Sequence, residues 1–165
     1  MPPPIPTTAP AKRASESITE MTELVLPSDA NSLGTAFGGR VMAWIDVCGA
    51  ICAQRHCRQV VVTAHIDELH FHAPIKLGMI AALHSHVTAA FTHSLEVEVI
   101  IYSENPLSGE RRHCCSAFLT FTALDDLGRP ARVPPLACET DEERAVQAVA
   151  TERRARRLEA RKAAG

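Results

Sequence analysis

Apolar positions along the chain fall into two kinds of pattern. Between Phe37 and His56 they crowd every face of a helical period, and from Val60 onward they alternate with polar residues in four longer runs. The first pattern predicts a helix of roughly 30 Å at 1.5 Å per residue, and a helix that is hydrophobic all round is a buried helix. Asn31, Gly34, Gly38 and Gly39 mark a glycine-punctuated loop leading into it. Among the alternating runs, Val60, Val61 and Val62 open a strand that reaches Phe71, and Ile80 to Phe91 reads as a second. Leu95, Val97, Val99 and Ile101 against Glu96, Glu98 and Tyr102 show the period of two of a half-buried third. Arg111 to Ala123 reads as a fourth. Earlier, Met21 to Leu26 predicts a short strand stopped by Pro27, which lacks a ladder donor. Turn residues at Pro74 and Gly78, at Asn105 to Gly109 and at Asp125 to Pro130 separate the runs. One helix followed by strands in hairpin order predicts an α+β domain with an antiparallel sheet. The sheet would curl around the helix, and a second copy of the chain would cover the rest.

The two ends differ from this middle. Residues 1–17, rich in proline, threonine and alanine, are expected to form a flexible tail, with the folded domain over 18–136 and a helical extension over 137–165. Thr140 with Glu143 fits a capping box, and the Arg- and Ala-rich run to about Lys162 favours helix by propensity. Its apolar face, Val146, Val149 and Leu158, is thin, so the helix needs a partner surface or frays.

Composition narrows the classes of function. A chain of 165 residues with 46% hydrophobic and 22% charged side chains is one globular domain. A formal net charge of −2 gives no basic excess for nucleic acid. No apolar run is long enough to cross a bilayer, and the first residues hold no signal-peptide core, so neither nucleic acid nor membrane is expected as a partner. Cys48, Cys52, Cys57, Cys114, Cys115 and Cys138 include no CxxC pair. They read as buried or incidental thiols of a cytoplasmic protein.

Between Arg40 and Arg55, Asp46 is the one ionisable side chain apart from the cysteines. A buried carboxylate is costly unless it is paired or has a task, and Asp46 is the candidate for chemistry. Helix N–H groups at Gly38 and Gly39 are unsatisfied and the helix dipole favours negative charge there. His65, Asp67, His70 and His72 suggest a metal cluster, but strand alternation puts the first two on one face and the last two on the other. With no third ligand, no metal site is expected.

The run Asn31…Gly34…Gly38-Gly39…Met42…Trp44-Ile45-Asp46 resembles the hotdog-fold acyl-CoA thioesterases, nearest their short bacterial single-domain branch, the YciA-like enzymes. The resemblance continues through Val61 to Phe71, Pro74-Ile75, Gly78, Glu104-Asn105-Pro106, Gly109-Glu110 and Phe118 to Asp125, covering about Glu20 to Pro135. It implies a hotdog fold, a five- to six-stranded antiparallel sheet wrapped around a central helix. It also implies hydrolysis of acyl-CoA to free acid and coenzyme A, a role in lipid metabolism, and no cofactor beyond the coenzyme A of substrate and product. The implied assembly is a homodimer as minimal unit and a trimer of dimers, with Asn31 and Asp46 contributed by opposing subunits.

Thioester hydrolysis needs an activated water or nucleophile and donors for the developing oxyanion. Asp46 fits general base or nucleophile, and the Gly39 N–H fits oxyanion donor, with Gly38 beside it. Seven residues separate Gly39 from Asp46, roughly 10 Å of helix, so the two would meet only across a dimer interface. Asn31 either orients the reacting groups or simply shapes its loop. By resemblance, Thr63 with Ala64 and His65 lines the pantetheine arm. Arg55, Arg58, Lys76, Arg111 and Arg112 are cations available for the phosphates, and so is the Arg-rich C-terminal segment, although a charge run is usually a solvated face. Two positions depart from the family pattern: His65, where a small residue is usual, and Met79, where aspartate is usual. Rival readings are an acyl-CoA sensor without catalysis and a hotdog enoyl-CoA hydratase. The hydratase would need a histidine–carboxylate pair, and the buried helix has no histidine before His56.

Overall fold

The computed structural model describes residues 9–165. Strand β1 (Lys12–Arg13) leads through a 3₁₀ turn at Ala14–Glu16 into β2 (Thr19–Leu24). A second 3₁₀ turn, Pro27–Asp29, and a loop deliver the chain to α1 (Gly38–Cys57). The strands β3 (Val60–Phe71), β4 (Ile80–Ala90), β5 (Ser94–Glu104) and β6 (Arg111–Leu124) follow, then β7 (Leu136–Ala137) and α2 (Asp141–Ala164). Five strands form one antiparallel sheet in the order β2-β4-β5-β6-β3, and β1 pairs with β7 in parallel. The expected tail is thus shorter than residue 17. Its first eight residues lie outside the described ones, but Lys12 and Arg13 are strand-paired and Ser17 is fully buried.

The sheet curls around α1. Leu95, Val97, Val99 and Ile101 of β5 and Ala117, Leu119 and Phe121 of β6 are fully buried on its concave face, against Ile45, Cys48 and Cys52 of the helix. Gly49 sets the approach: a Cβ there would stand 3.1 Å from the Phe121 ring and 3.3 Å from Val99. The helix ends on Arg58, whose N–H closes the last helical bond to the Gln54 carbonyl at 2.7 Å before the chain turns left-handed there (φ 55°).

Within one chain the burial of α1 is one-sided. Met42 and Val47 of α1 are 39% and 51% exposed, because a single sheet covers only one side of a helix. The neighbouring edge strand β3 leaves Val60, Val62 and Phe71 exposed as well.

The convex face is polar in sequence but not bare. Glu96, on the outward side of β5, is buried under α2, where Arg153 reaches it through two nitrogens at 2.8 and 3.2 Å. Thr88 donates to the same carboxylate at 2.7 Å, and the Arg153 guanidinium lies 3.6 Å from the centre of the Phe118 ring. With Ala150 also fully buried, α2 has the partner surface that its thin apolar face requires. The expected capping box is present: Glu143 N–H donates to Thr140 and the Glu143 carboxylate accepts from the Thr140 N–H.

Candidate active site

Two half-sites lie along α1. At its start, Phe37 occupies the cap position without a side-chain acceptor, so the first-turn N–H groups at Gly38 and Gly39 point outward uncapped. The preceding loop is held by Asp29, whose carboxylate accepts from the Leu26 N–H at 3.0 Å and pairs with Arg40 at 3.0 Å. Asn31 spends its amide on the same loop. Its oxygen accepts from the N–H groups of Leu33 at 2.9 Å and Thr35 at 3.2 Å, and its nitrogen donates to the Thr35 hydroxyl at 3.0 Å. Of the two readings left open by the sequence, loop shaping is the one these contacts display. Two turns further along, Asp46 sits within the uncovered stripe of Met42 and Val47, partly exposed rather than buried. Its carboxylate accepts a hydrogen bond from the Thr63 hydroxyl at 2.5 Å.

An irregularity in β3 follows directly after Thr63. Thr63 stands opposite Phe121, but His65 stands opposite Thr120, so Ala64 is an extra residue in the ladder. Thr63 points inward to Asp46, and the bulge after it turns His65 outward to the convex face. There His65 lies 2.9 Å from Asp67, which binds Arg157 of α2 at 2.8 Å. Thr63, Ala64 and His65 therefore do not line one channel. A second bulge, between Asp67 and His70 with Glu68 at φ 53°, also overturns the expected sorting of histidines. His70 pairs with Ser116 on the same outward face as His65. Among the described residues no group of three His, Cys, Asp or Glu side chains is placed to hold a metal ion.

An apolar cleft of about 350 Å³ opens beside the helix start, lined by Gly38, Val41, Phe71, Ala73, Ile75 and Cys114. Of the large aromatics near the helix and β3, Phe71 alone faces it; Trp44 is in the core and Phe91 lies beneath Arg154. Pro74 also borders a second cleft of about 310 Å³ that contains Lys76, Ser103, Asn105, Glu110 and Arg112. The other candidate arginines are engaged elsewhere or stand apart. Arg55 holds the Ile18 carbonyl and the Thr19 hydroxyl, Arg111 pairs with Glu104, and Arg58 is the exposed helix cap. Burial pushes the Cys52 and Cys115 thiols up to about 11, so neither supplies a thiolate near neutral pH. The part played by Ala73, Ile75 and Cys114 in the cleft left no sequence signal, since each is an ordinary core residue type.

The pattern of the thioesterase superfamily matches residues 33–110. An uncharacterized acyl-CoA thioester hydrolase of Bacillus subtilis is 43% identical over 128 residues, 78% of this chain and 74% of the relative. A hexameric acyl-CoA thioesterase superposes with a TM-score of 0.86 at 38% identity, covering 92% of this chain and 97% of that one. The acyl-CoA hydrolase of Staphylococcus aureus, solved with butyryl coenzyme A, coenzyme A and coenzyme A disulfide, superposes with a TM-score of 0.83 at 38% identity, covering 93% and 96%. The same enzyme has also been solved with alanine in place of one aspartate, one asparagine or one threonine. An antiparallel sheet wrapped on one helix, uncapped glycines at the helix start and one carboxylate on its open stripe agree with these likenesses: the chain belongs to the hotdog-fold acyl-CoA thioesterases.

Proposed function

We propose that the chain hydrolyses acyl-CoA to a free carboxylic acid and coenzyme A at a site completed by a second copy of itself. Asp46 is the general base. It takes a proton from water, the water oxygen bonds to the thioester carbon, and the C–S bond breaks with the proton passing to the coenzyme A sulfur. The Thr63 hydroxyl holds the carboxylate in place, and the first-turn N–H of Gly39 from the opposing copy receives the oxyanion. Asn31 keeps the loop before that turn in shape.

The observation that carries this reading is the placement of both half-sites on one uncovered helix face. Asp46 and Gly39 are roughly 10 Å apart along the axis, too far to share a carbonyl within one chain. The stripe around Asp46 and the long edge strand β3 are open together. A long exposed edge with apolar side chains is a template for pairing, and a two-fold copy would cover both features and bring opposite ends of the helices together. Hexameric assembly of two solved relatives supports a trimer of such dimers. Asn31, Asp46 and Thr63 stand 15 and 17 positions apart, and the asparagine, aspartate and threonine altered in the Staphylococcus aureus enzyme have the same spacing.

The acyl chain is assigned to the apolar cleft and the coenzyme A phosphates to Lys76 and Arg112 in the cleft that adjoins it. Six unpaired thiols support a reducing, cytoplasmic setting. Among the described residues no helix is long and apolar enough to cross a membrane.

Release of free thiol from short, medium, long and aryl acyl-CoAs tests the activity. Asp46→Asn is expected to lower kcat by about 10²–10⁴ while the assembly, measured by sedimentation, is unchanged. Full turnover in this variant would remove Asp46 from the mechanism. Binding of acyl-CoA by the wild type without thiol release would establish a sensor instead.

A further inference from the structure

The convex face carries a groove that the thioesterase site does not use. It lies between the C-terminal half of α2 and the outward sides of β3, β5 and β6, with a volume of about 470 Å³, larger than either cleft near the helix start. Arg154, Arg157 and Arg161 form its rim, and Ser94, Thr120 and Thr122 form its floor. Spacings of three and four residues put the three arginines on one face of the helix.

Their charges are only partly answered. Arg157 gives one nitrogen to Asp67 at 2.8 Å. Arg154 has its guanidinium 4.5 Å from the centre of the Phe91 ring, a stacking that leaves its N–H edge available. Among the described residues neither Arg154 nor Arg161 has a carboxylate at ion-pair distance. Cations near a helix C-terminus are favoured by the dipole. That accounts for Arg161 in the last turn but not for Arg154, two turns earlier, nor for the hydroxyl floor beneath.

The floor supplies an independent observation. Thr120 is 5% exposed, and its hydroxyl oxygen is buried without any hydrogen-bond partner. Buried polar groups are almost always bonded, so an orphan hydroxyl lining the same groove as three arginines marks a place where an acceptor is missing. A hydroxyl can donate to an anionic oxygen, and arginine forks match phosphate geometry. The three rim positions spread over roughly 10 Å of helix axis, more than one tetrahedral phosphate meets at once.

We infer that this groove binds an oligophosphate, a diphosphate group being the smallest that engages both ends of the rim. The site is separate from the thioester-hydrolysing site: His65, on its wall, is turned to the opposite face of the sheet from Thr63 by the bulge at Ala64. The inference stands whether or not the chain hydrolyses acyl-CoA, because its test needs no turnover.

Calorimetric titration of the full chain with inorganic pyrophosphate, in about 0.15 M salt, reads the site directly. One saturable site per chain is expected. Arg154→Ala with Arg161→Ala should weaken it by tenfold or more, while KM for acyl-CoA stays unchanged. Thr120→Val supplies a second signature, since it removes an orphan hydroxyl without changing shape. It should weaken pyrophosphate binding and at the same time raise the Tm of the unliganded protein. Absence of saturable binding, or equal binding by wild type and the double arginine variant, would overturn the site. So would a rise in KM for acyl-CoA parallel to the loss of pyrophosphate binding, because the groove would then belong to the substrate path. A retained Tm gain in Thr120→Val with unaltered pyrophosphate binding would remove the hydroxyl from it.

Discussion

The two helices lie against opposite faces of one sheet and are held by opposite physics. On the concave face α1 packs through Ile45, Cys48 and Cys52 against fully buried aliphatic and aromatic side chains, and its one carboxylate faces outward. On the convex face α2 is polar over most of its length and is fixed by Arg153 on Glu96, a buried ion pair with Thr88 and the Phe118 ring around it. The first helix is held by volume and shape, which any neighbour of the right size can supply. The second is held by a few directional contacts that fail together when one is lost. The difference also sorts the chemistry, since the apolar stripe of α1 isolates one reactive group and the charged face of α2 gathers arginines.

Breaking α2 at its anchor should have the larger effect. Arg153→Met leaves Glu96 buried without its partner, a loss of about 3–5 kcal/mol for breaking a buried pair. Hydrogen exchange should show residues 141–164 losing protection while β4, β5 and β6 retain theirs. Adding Glu96→Leu to that variant should recover most of the loss, because a pair replaced by apolar groups of similar volume is close to neutral. If Arg153→Met left α2 protected, the ion pair would not be what holds the helix.

Crowding α1 should cost less. Gly49→Ala gains about 1 kcal/mol of helix propensity but drives a Cβ to 3.1 Å from the fully buried Phe121 ring, which has nowhere to retreat. Overpacking of this kind costs about 1–3 kcal/mol, so a net loss near 1 kcal/mol is expected in urea unfolding. A gain in stability would mean that α1 rides more loosely on the sheet than its packing indicates.

The same contrast governs what could be read in the amino-acid sequence. Periodicity announces shape-driven packing, so the span of α1 and the four long strands were legible, and Asp46 was legible as the lone carboxylate of α1 although it was expected to be buried. Directional contacts between distant positions were not. Glu96 alternates like a solvated residue, and nothing in the pattern distinguishes that from a carboxylate buried under Arg153, 57 residues later. The bulges at Ala64 and after Asp67 were invisible for a related reason: an extra residue in a strand leaves composition and β propensity intact but reverses the face of every side chain beyond it. Thr63 was expected near the ligand together with His65, and that His65 leaves its face follows only from the bulge. Asn31 was legible as a loop residue and a site residue at once, and its contacts within one chain display the first.

The smallest effect concerns the joint between the helices. His56, in the last turn of α1, is fully buried, and its Nε2 lies 2.8 Å from the Pro134 carbonyl, in the segment that leads to α2. The carbonyl requires a proton on Nε2, and Nδ1 has no partner, so the neutral ring fits and the charged one does not. Burial pushes the imidazole below its ordinary range, with Lys12 adding to the shift, against the Pro134 bond and Glu16, which raise it. A histidine depressed in the folded state takes up its proton more readily once unfolded. The stability it contributes is therefore present above the ordinary value of 6.5 and is lost as pH falls through the folded value. Urea midpoints should decline from pH 7.5 to 5.5 in the wild type. His86 is shifted the same way by burial and Glu98 the opposite way, so the His56 share is read as the difference between wild type and His56→Gln, whose amide can still donate to Pro134. A flatter pH dependence in the variant is expected. Identical slopes would show that the joint between the helices stays closed when His56 takes a proton.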